Sequence, residues 1–313
     1  MLHGWHIGVV IPARDEEDHI AGVVEGLPEI VDMAVVVNDG SKDATQERAA
    51  SATTHCQVVL IEGNGDGVGA SIDRGHRVLL ERFNGSFISV VMAGDGQMNP
   101  DDLEQLIQPI VSGIADHVKG NRAMHEEGLN RMPAHRQRAT KVLSWFTTLA
   151  SGQRVGDPQC GFTATSSTVL RDWDWHRSWP GYGYPNFWLI NLSSKGYRIA
   201  ERPVQSIYRN ESSGIKPRRF FTSVGWMMTV EHHRRNVSWL HPKRLTPHTL
   251  FAFLSYLLGW SALIPQVSND LEVELMARGV PGLAICLVFW TIAHVFDRSA
   301  ARVQRELRGH ATT

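Results

Sequence analysis

The stretch SFISVVMAGDGQMNP, residues 86–100, decides the fold class of this 313-residue chain. Its first eight residues form an apolar run of strand length, and Pro100 after Asn99 is typical of a helix start, because proline suits the first helical position. Asp95 and Gln97 lie between the two. A strand that passes through a polar turn into a helix is the unit of an α/β fold, and such folds bind ligands at the carboxyl ends of their strands.

The same alternation extends over the first two hundred residues. Further strands are predicted at 6–11, 33–38, 57–62 and 115–120, with 86–93 as the fourth in chain order. Helices are predicted at 17–27, 43–52, 69–83 and 100–111. The pattern predicts an α/β domain with a Rossmann-like, mostly parallel sheet and helices on both faces.

Composition excludes several classes of protein. The hydrophobic fraction of 42% supports a folded core, and the net charge of −1 argues against a nucleic-acid binder. Cys56, Cys160 and Cys286 are too far apart for a zinc motif or a disulfide framework. The charge is unevenly divided, however, at −12 over residues 1–110 and +11 over 111–248. This asymmetry predicts an anionic ligand for the middle of the chain.

The C-terminal part has the composition of a membrane anchor. Residues 249–269 carry no charge, 279–296 are also uncharged, and each run approaches the roughly 20 residues that cross a bilayer. Basic residues flank the pair and acidic residues dominate between them, which by the positive-inside rule places both ends in the cytoplasm. The alternative is a pair of buried helices from a soluble cap. Residues 217–240 mix basic and aromatic side chains, as in a helix at the headgroup layer or one packed on the domain.

These features predict four parts. They are a catalytic domain at 1–216, a basic amphipathic interfacial segment at 217–248, a two-helix transmembrane hairpin at 249–296 and a basic cytoplasmic tail at 297–313.

Polar motifs follow the predicted strands. Asp39 follows the second strand and suits the base or ribose of a nucleoside. A glycine-rich run at 63–70 opens a helix, either as a phosphate cradle or as a plain turn. Asp95 and Gln97 are oxygen ligands suited to Mg²⁺ or Mn²⁺ bridging a diphosphate.

Basic residues follow the fifth strand. Arg122 ends that strand, and Arg136 and Thr140 are spaced i, i+4 on one helix face. Two guanidinium groups and a hydroxyl suit a phosphate, although solvated arginines are the ordinary alternative.

Taken in order, the motifs resemble those of family 2 glycosyltransferases, particularly the polyprenyl-phosphate hexosyltransferases similar to dolichyl-phosphate mannose synthase. The matching segments are IPARDEE (11–17), NDGSKDAT (38–45), GNGDGVGASIDRG (63–75), GDGQMNP (94–100), KGNR (119–122), MPAHR (132–136), DPQCGFTA (157–164) and ESSGIKP (211–217). The resemblance implies a GT-A fold, a nucleotide-sugar donor, a polyprenyl phosphate acceptor and an inverting transfer at the cytoplasmic leaflet.

The resemblance also implies roles for individual residues. Donor binding falls to Pro12, Ala13, Asp15, Glu16, Asp39, Gly67, Asp95 and Lys216. Ser213 accompanies Lys216 on a loop that would close on the donor diphosphate. Acceptor phosphate binding falls to Arg122, Arg136 and Thr140, metal binding to Asp95 and Gln97, and catalysis to Asp95, Arg122 and Arg136.

Two positions depart from the family pattern. Asn38 replaces the first aspartate of the family's DDGS motif, and Ala93 replaces the first aspartate of its DxD motif. The metal site has therefore lost a carboxylate.

The expected activity is transfer of glucose or mannose from a UDP- or GDP-hexose to dolichyl or undecaprenyl phosphate by a two-span membrane protein that needs Mg²⁺ or Mn²⁺. A homo-oligomer is compatible with the sequence. The alternatives are a family 2 enzyme with a saccharide or small-molecule acceptor, and a non-catalytic nucleotide-sugar binder.

Overall fold

The computed structural model describes the backbone of residues 2–125, 134–207, 217–262 and 271–311. Within these ranges, it leaves the side chains of 134–136, 217, 219, 271–278, 280 and 310–311 undescribed. Two predicted site residues are affected. Lys216 lies outside the described residues, as does Ser213, and only the backbone of Arg136 is described.

Seven strands form one mixed sheet. They are β1 (His6–Ala13), β2 (Met33–Asn38), β3 (Gln57–Glu62), β4 (Phe87–Val91), β5 (His117–Asn121), β6 (Thr163–Ser166) and β7 (Ile199–Pro203). Their order is β3-β2-β1-β4-β6-β5-β7, and β6 runs antiparallel to both of its neighbours while the other pairs are parallel. The five predicted strands are confirmed. The sequence did not predict β6, because its four residues, TATS, carry no apolar run although all four are buried.

Ten helices are described. They are α1 (Ile20–Glu25), α2 (Thr45–Ser51), α3 (Val68–Arg82), α4 (Leu103–Val111), α5 (Ala134–Ser151), α6 (Ser167–Arg171), α7 (Tyr184–Ser194), α8 (Pro217–Ser238), α9 (Pro247–Ser261) and α10 (Leu271–Ala311). Two apolar clusters cover the sheet, one with α1 and α4 and the other with α3, α6 and α7. Helices on both faces are therefore confirmed. A short 3₁₀ turn at Pro100–Asp102 precedes α4, and the Asn99 side chain caps it by accepting from the Asp101 amide at 3.2 Å.

The strand ends place the motifs at one edge of the sheet. Backbone bonds continue beyond the strands, from Asp39 N to Ala13 O at 2.8 Å and from Gly94 N to Pro12 O at 3.0 Å. Gly63 N likewise donates to Asn38 O at 2.7 Å. The loops after β1, β2, β3 and β4 are thereby held side by side.

The C-terminal helices differ in part from the predicted anchor. Among the described residues, one helix is long and apolar enough to span a membrane, over Pro281–Gly309 in α10. The 15 residues of α9 fall short of the roughly 20 that a span needs, so a second span is not shown. The two helices nevertheless pack on each other, and both leave large apolar side chains exposed.

The end of α10 contacts both the segment after α8 and the catalytic domain. Gln304 donates to the Arg244 carbonyl at 2.7 Å, and Arg308 donates to the Lys195 carbonyl at 3.1 Å. The Arg308 guanidinium also lies 3.6 Å from the ring centre of Tyr197. The predicted boundary at 297 lies within α10, and Arg308 of the basic segment contacts the catalytic domain.

Candidate active site

The loop after β1 is fastened to the loop after β2. Asp15 adopts a positive φ of 55°, which is uncommon for a residue with a side chain. Its carboxylate accepts from the Lys42 amide at 2.8 Å, while its own amide donates to the Ser41 hydroxyl at 3.0 Å. The Glu16 amide donates to the Thr45 hydroxyl at 2.8 Å. Asp15 and Glu16 therefore lie on a fixed turn beside Pro12 and Ala13, where the sequence predicts the donor pocket.

Asp39 is buried and closes the glycine-rich loop. One carboxylate oxygen accepts from the Asp66 amide at 3.0 Å, and the other accepts from the Gly67 amide at 2.8 Å. The sequence predicts that Asp39 and Gly67 bind the donor. The structure brings them together through a hydrogen bond from the Gly67 amide to the Asp39 carboxylate, so part of the binding capacity of each is already used. A carboxylate oxygen has a second lone pair, so a nucleoside N–H or hydroxyl can still be accommodated there.

The glycines of this loop make room for a neighbouring segment. A Cβ on Gly67 would lie 2.6 Å from the Pro180 carbonyl oxygen, and one on Gly69 would lie 2.0 Å from the Trp179 carbonyl oxygen. The Gly69 amide donates to Pro180 O at 2.8 Å. The amides that a phosphate cradle would use are thus bound to the protein's own acceptors, and the structure favours the turn over the cradle.

Asn38 has a structural role that an aspartate would not fill. Its amide donates to Gln46 Oε1 at 2.8 Å, and its carbonyl oxygen accepts from the Ser41 amide at 3.2 Å. The side-chain amide of Gln46 in turn donates a hydrogen bond to Glu62 Oε1 at 2.8 Å. The first departure from the family pattern therefore belongs to a hydrogen-bond network that joins β2, α2 and β3.

Asp95 and Gln97 share one tight turn after β4. The Gln97 amide donates to Asp95 Oδ1 at 3.0 Å, and Gly96 between them has a φ of 67°. Both side chains are half-buried, as is Ala93, which offers no oxygen. The described residues contain no cluster of three or more His, Cys, Asp or Glu side chains arranged to hold a metal. This donor set fits an ion such as Mg²⁺, which takes few protein ligands and completes its shell with phosphate and water.

Arg122 is held in a buried ion pair. Its Nε donates to Asp157 Oδ2 at 2.7 Å and its Nη2 donates to Oδ1 at 3.0 Å. Burial by itself would raise the pKa of Asp157, but the hydrogen bonds and charge of Arg122 outweigh it and lower that pKa below its ordinary value. Glu201 fixes the Asp157 loop in turn, accepting from the Gly156 amide at 2.9 Å. Asp157 therefore holds Arg122 through both carboxylate oxygens.

A cavity of about 680 Å³ lies beside Arg122. Thr140 and Arg122 both line it, so the structure brings two of the three predicted phosphate-binding residues together. The third, Arg136, lies one turn before Thr140 on α5, and its side chain is outside the described residues.

Sequence reasoning missed the polar floor of this cavity. His117 and Lys119 of β5 are buried there, together with His76 of α3. A period-2 signal was present, since His117 and Lys119 alternate with Val118 and Gly120 along a predicted buried strand. The part supplied by α3 comes from a distant point in the chain and left no such signal.

A second, apolar groove of about 1040 Å³ adjoins the cavity, and Leu143 and Phe221 line both. Its walls come from α5, α8, α9 and α10 and include Trp145, Phe146 and Trp290. His232 and His233 of α8 are half-buried and line this groove. One face of α8 is buried on the catalytic domain through Val224, Met227 and Met228, so this segment packs on the domain, whereas Trp226 is 71% exposed.

Comparisons with known proteins agree with this architecture. Residues 8–176 match the glycosyl transferase family 2 domain, more than half of the chain, and the chain belongs to that family. It is 29% identical over 221 residues to a UDP-N-acetylglucosamine–dolichyl-phosphate N-acetylglucosaminyltransferase of Methanococcus voltae, covering 66% of this chain and 87% of the relative. It is also 29% identical over 217 residues to a dolichyl-phosphate β-glucosyltransferase of Trichomonas vaginalis, covering 63% of this chain and 62% of the relative.

Among solved structures, the fold is similar to glucosyl-3-phosphoglycerate synthase of Mycobacterium tuberculosis in complex with Mn²⁺, UDP and phosphoglyceric acid. The TM-score is 0.54 at 22% identity, over 74% of this chain and 78% of that chain. This likeness confirms the GT-A fold of the catalytic domain. The protein is therefore a family 2 glycosyltransferase, as the motifs predict.

Proposed function

We propose that this glycosyltransferase transfers a hexose, glucose or mannose, from a nucleoside diphosphate sugar to a polyprenyl phosphate, with inversion, at the cytoplasmic membrane face. The observation that carries the proposal is that the cavity beside Arg122 opens next to the apolar groove. A cavity with a polar floor and Arg122 at its side adjoins a groove with predominantly apolar walls, through the shared residues Leu143 and Phe221. An acceptor with a phosphate head and a hydrocarbon tail matches this arrangement.

The acceptor phosphate needs charge and little base catalysis. A phosphate monoester has a second pKa of about 6, so it is largely dianionic at neutral pH and nucleophilic without a general base. Arg122 is pre-oriented by Asp157 toward such an anion, and Thr140 supplies a hydroxyl. Arg136, one turn from Thr140, completes the proposed phosphate site.

The C-terminal helices support a membrane location. Exposed leucines and aromatic residues cover α9 and α10, and Trp145 of α5 and Trp226 of α8 are 59% and 71% exposed. Tryptophan is enriched where a protein meets the headgroup layer. We infer that 249–296 forms a hairpin with two spans and that the groove beside it holds the first isoprene units.

The donor would lie over the ends of β1 and β2, bound by Pro12, Ala13, Asp15, Glu16 and Asp39, with Lys216 closing on the diphosphate. A divalent ion held by Asp95 and Gln97 would neutralise charge on the departing nucleoside diphosphate. The names of the Methanococcus relative and of the Mycobacterium structure both include UDP, which favours UDP over GDP as the nucleotide.

The experiment is a transfer assay with radiolabelled UDP- and GDP-hexoses, polyprenyl phosphate and Mg²⁺ or Mn²⁺. Arg136→Ala should lose transfer to lipid and keep nucleotide binding, while Arg138→Ala, an exposed arginine on the same helix, should change neither. Asp95→Ala should abolish metal-dependent turnover. Unchanged transfer by Arg136→Ala would remove the phosphate role, and full activity of the wild type with a chelator would remove the metal role.

The same assay separates the alternatives. Transfer to a soluble saccharide instead of lipid would favour another family 2 activity, and nucleotide-sugar binding without turnover would favour a non-catalytic binder.

A further inference from the structure

The cavity beside Arg122 combines two kinds of lining. Its floor is polar and buried, whereas its walls carry aromatic rings, among them Tyr182, Trp188 and Phe220. A pocket with aromatic walls and a few convergent polar groups is typical of a site for a small polar molecule. An isoprenoid chain would leave that floor unpaired, which costs free energy.

The floor presents hydrogen-bonding atoms that the protein does not use. One ring nitrogen of His76 hydrogen-bonds to the Ser89 hydroxyl at 2.8 Å, and one ring nitrogen of His117 hydrogen-bonds to the Thr165 hydroxyl at 2.9 Å. The second nitrogen of each ring remains for a ligand. Burial lowers the pKa of both histidines to about 3, so each ring is neutral at physiological pH and its two nitrogens are one donor and one acceptor.

Lys119 adds a third group to this floor. Its side chain is fully buried, and the Cys160 carbonyl is the one acceptor found for its three N–H bonds among the described residues. Thr163, from the neighbouring β6, contributes a hydroxyl to the same lining. The Lys119 amine, two neutral imidazoles and the Thr163 hydroxyl all line one space with aromatic walls.

We propose that this cavity is the subsite for the hexose being transferred, with His76, His117, Lys119 and Thr163 binding its hydroxyl groups. A hexose has several hydroxyls that donate and accept, which matches this mixed set, and an apolar ring face that packs on aromatic side chains. Arg122 at the edge of the cavity places the acceptor phosphate beside the sugar. The inference rests on the proposed function, and it assigns sugar recognition to the face of the sheet formed by β5 and β6.

The test compares binding of UDP-glucose with binding of UDP alone, measured by calorimetry on the full chain in detergent with Mn²⁺, and repeated with the GDP pair. Lys119→Met should weaken UDP-glucose binding about tenfold, because it removes the amine that would bind the sugar hydroxyls, and should leave UDP binding unchanged. Thr163→Val, which keeps the side-chain shape, should weaken UDP-glucose binding by several-fold in the same selective way. Lys243→Met, an exposed lysine, is the matched control and should change neither.

Equal loss of UDP-glucose and UDP binding in Thr163→Val, with an unchanged unfolding temperature, would overturn the sugar subsite while leaving the proposed transfer intact. Unchanged UDP-glucose binding in both cavity variants would do the same. Absence of binding by either nucleotide to the wild type would instead overturn the donor assignment of the proposed function, and the subsite with it.

Discussion

Asp39 and Asp157 are both buried carboxylates at the candidate site, and both hold other parts of it in place. Asp39 binds two backbone amides of the glycine-rich loop, and Asp157 binds Arg122 through both oxygens. In each case the carboxylate fixes the geometry of groups that come from another part of the chain. Substituting Asp39 or Asp157 should therefore weaken ligand binding indirectly, because the loop or the arginine that each carboxylate holds would move.

Asp157→Asn should raise the KM for polyprenyl phosphate at least about tenfold, because charged hydrogen bonds of about 1.5–3 kcal/mol no longer orient Arg122. Steady-state kinetics with varied acceptor measures it. Asp116→Asn is the matched control, since Asp116 forms a similar two-point pair with the more exposed Arg198. A KM that stays at the wild-type value would contradict the positioning role.

The same pair predicts a pH effect on stability. The pKa of Asp157 is lowered in the folded protein, so its stabilisation is present above the ordinary aspartate pKa and is lost as pH falls through the lowered value. Thermal unfolding between about pH 5 and pH 2 should show a smaller decrease for Asp157→Asn than for the wild type. Parallel decreases in the two proteins would contradict this.

Ala93→Asp should lower the concentration of Mn²⁺ needed for half-maximal activity several-fold, because affinity of such sites rises with the number of charged ligands. Ala93 is half-buried at the end of β4, two residues before Asp95, so an added carboxylate would face the same turn. Metal titration of activity measures the change. Ala50→Asp, on the exposed side of α2, is the control, and equal titrations of all three proteins would count against a metal site at Asp95.

At the scale of elements, α8 and α10 are joined by a buried ion pair. Arg235 Nη2 donates to Asp297 Oδ2 at 2.5 Å, and the two side chains are 0% and 4% exposed. The Arg235 guanidinium also lies 4.7 Å from the ring centre of Trp239. The pair links α10 to the helix that packs on the catalytic domain, so it fixes the groove that both helices line.

Asp297→Ala should lower the free energy of unfolding by about 3–5 kcal/mol, because it leaves the Arg235 charge buried without its partner. Thermal unfolding in detergent measures this. The double variant Arg235→Met, Asp297→Leu should recover most of the loss, since neither charge then remains buried, and Glu306→Ala on the exposed face of α10 should have little effect. A double variant as unstable as Asp297→Ala would show that the pair itself is needed.

At the scale of the whole molecule, apolar exposure is concentrated on one group of helices. Leu254 and Leu257 of α9 are 44% and 48% exposed, and Val142 and Phe146 of α5 are 49% and 47% exposed. Such side chains on the catalytic domain and on the hairpin would enter one lipid surface together.

Replacing both Leu254 and Leu257 with lysine should reduce co-flotation with vesicles of anionic lipid, because each charge is costly to move into the bilayer. Flotation on a density gradient measures it. Ile114→Lys, on an isoleucine after α4 that is 62% exposed, should float as the wild type does. Undiminished flotation of the double variant would remove α9 from the membrane contact.

The sequence by itself determined the α/β class, five of the seven strands, the edge of the sheet that holds the motifs and the family. These features depend on local apolar periodicity and on short motifs, which are read within a few residues. The division of charge along the chain likewise predicted an anionic ligand in the basic half. Asp39, Asp95, Arg122 and Thr140 were all found at that edge or beside it, with Arg122 and Thr140 lining one cavity.

Only the tertiary structure decided what those residues contact. Asp39 binds the glycine-rich loop, Asp157 holds Arg122, and His76, His117 and Lys119 form one floor. The hydrogen bonds that fix these side chains join residues 13 to 48 positions apart in the chain. The tertiary structure also shows that α10 continues through the basic C-terminal segment and that the apolar groove lies beside the cavity. Side-chain neighbours of this kind are set by strand order and helix packing, which bring together residues that no local pattern connects.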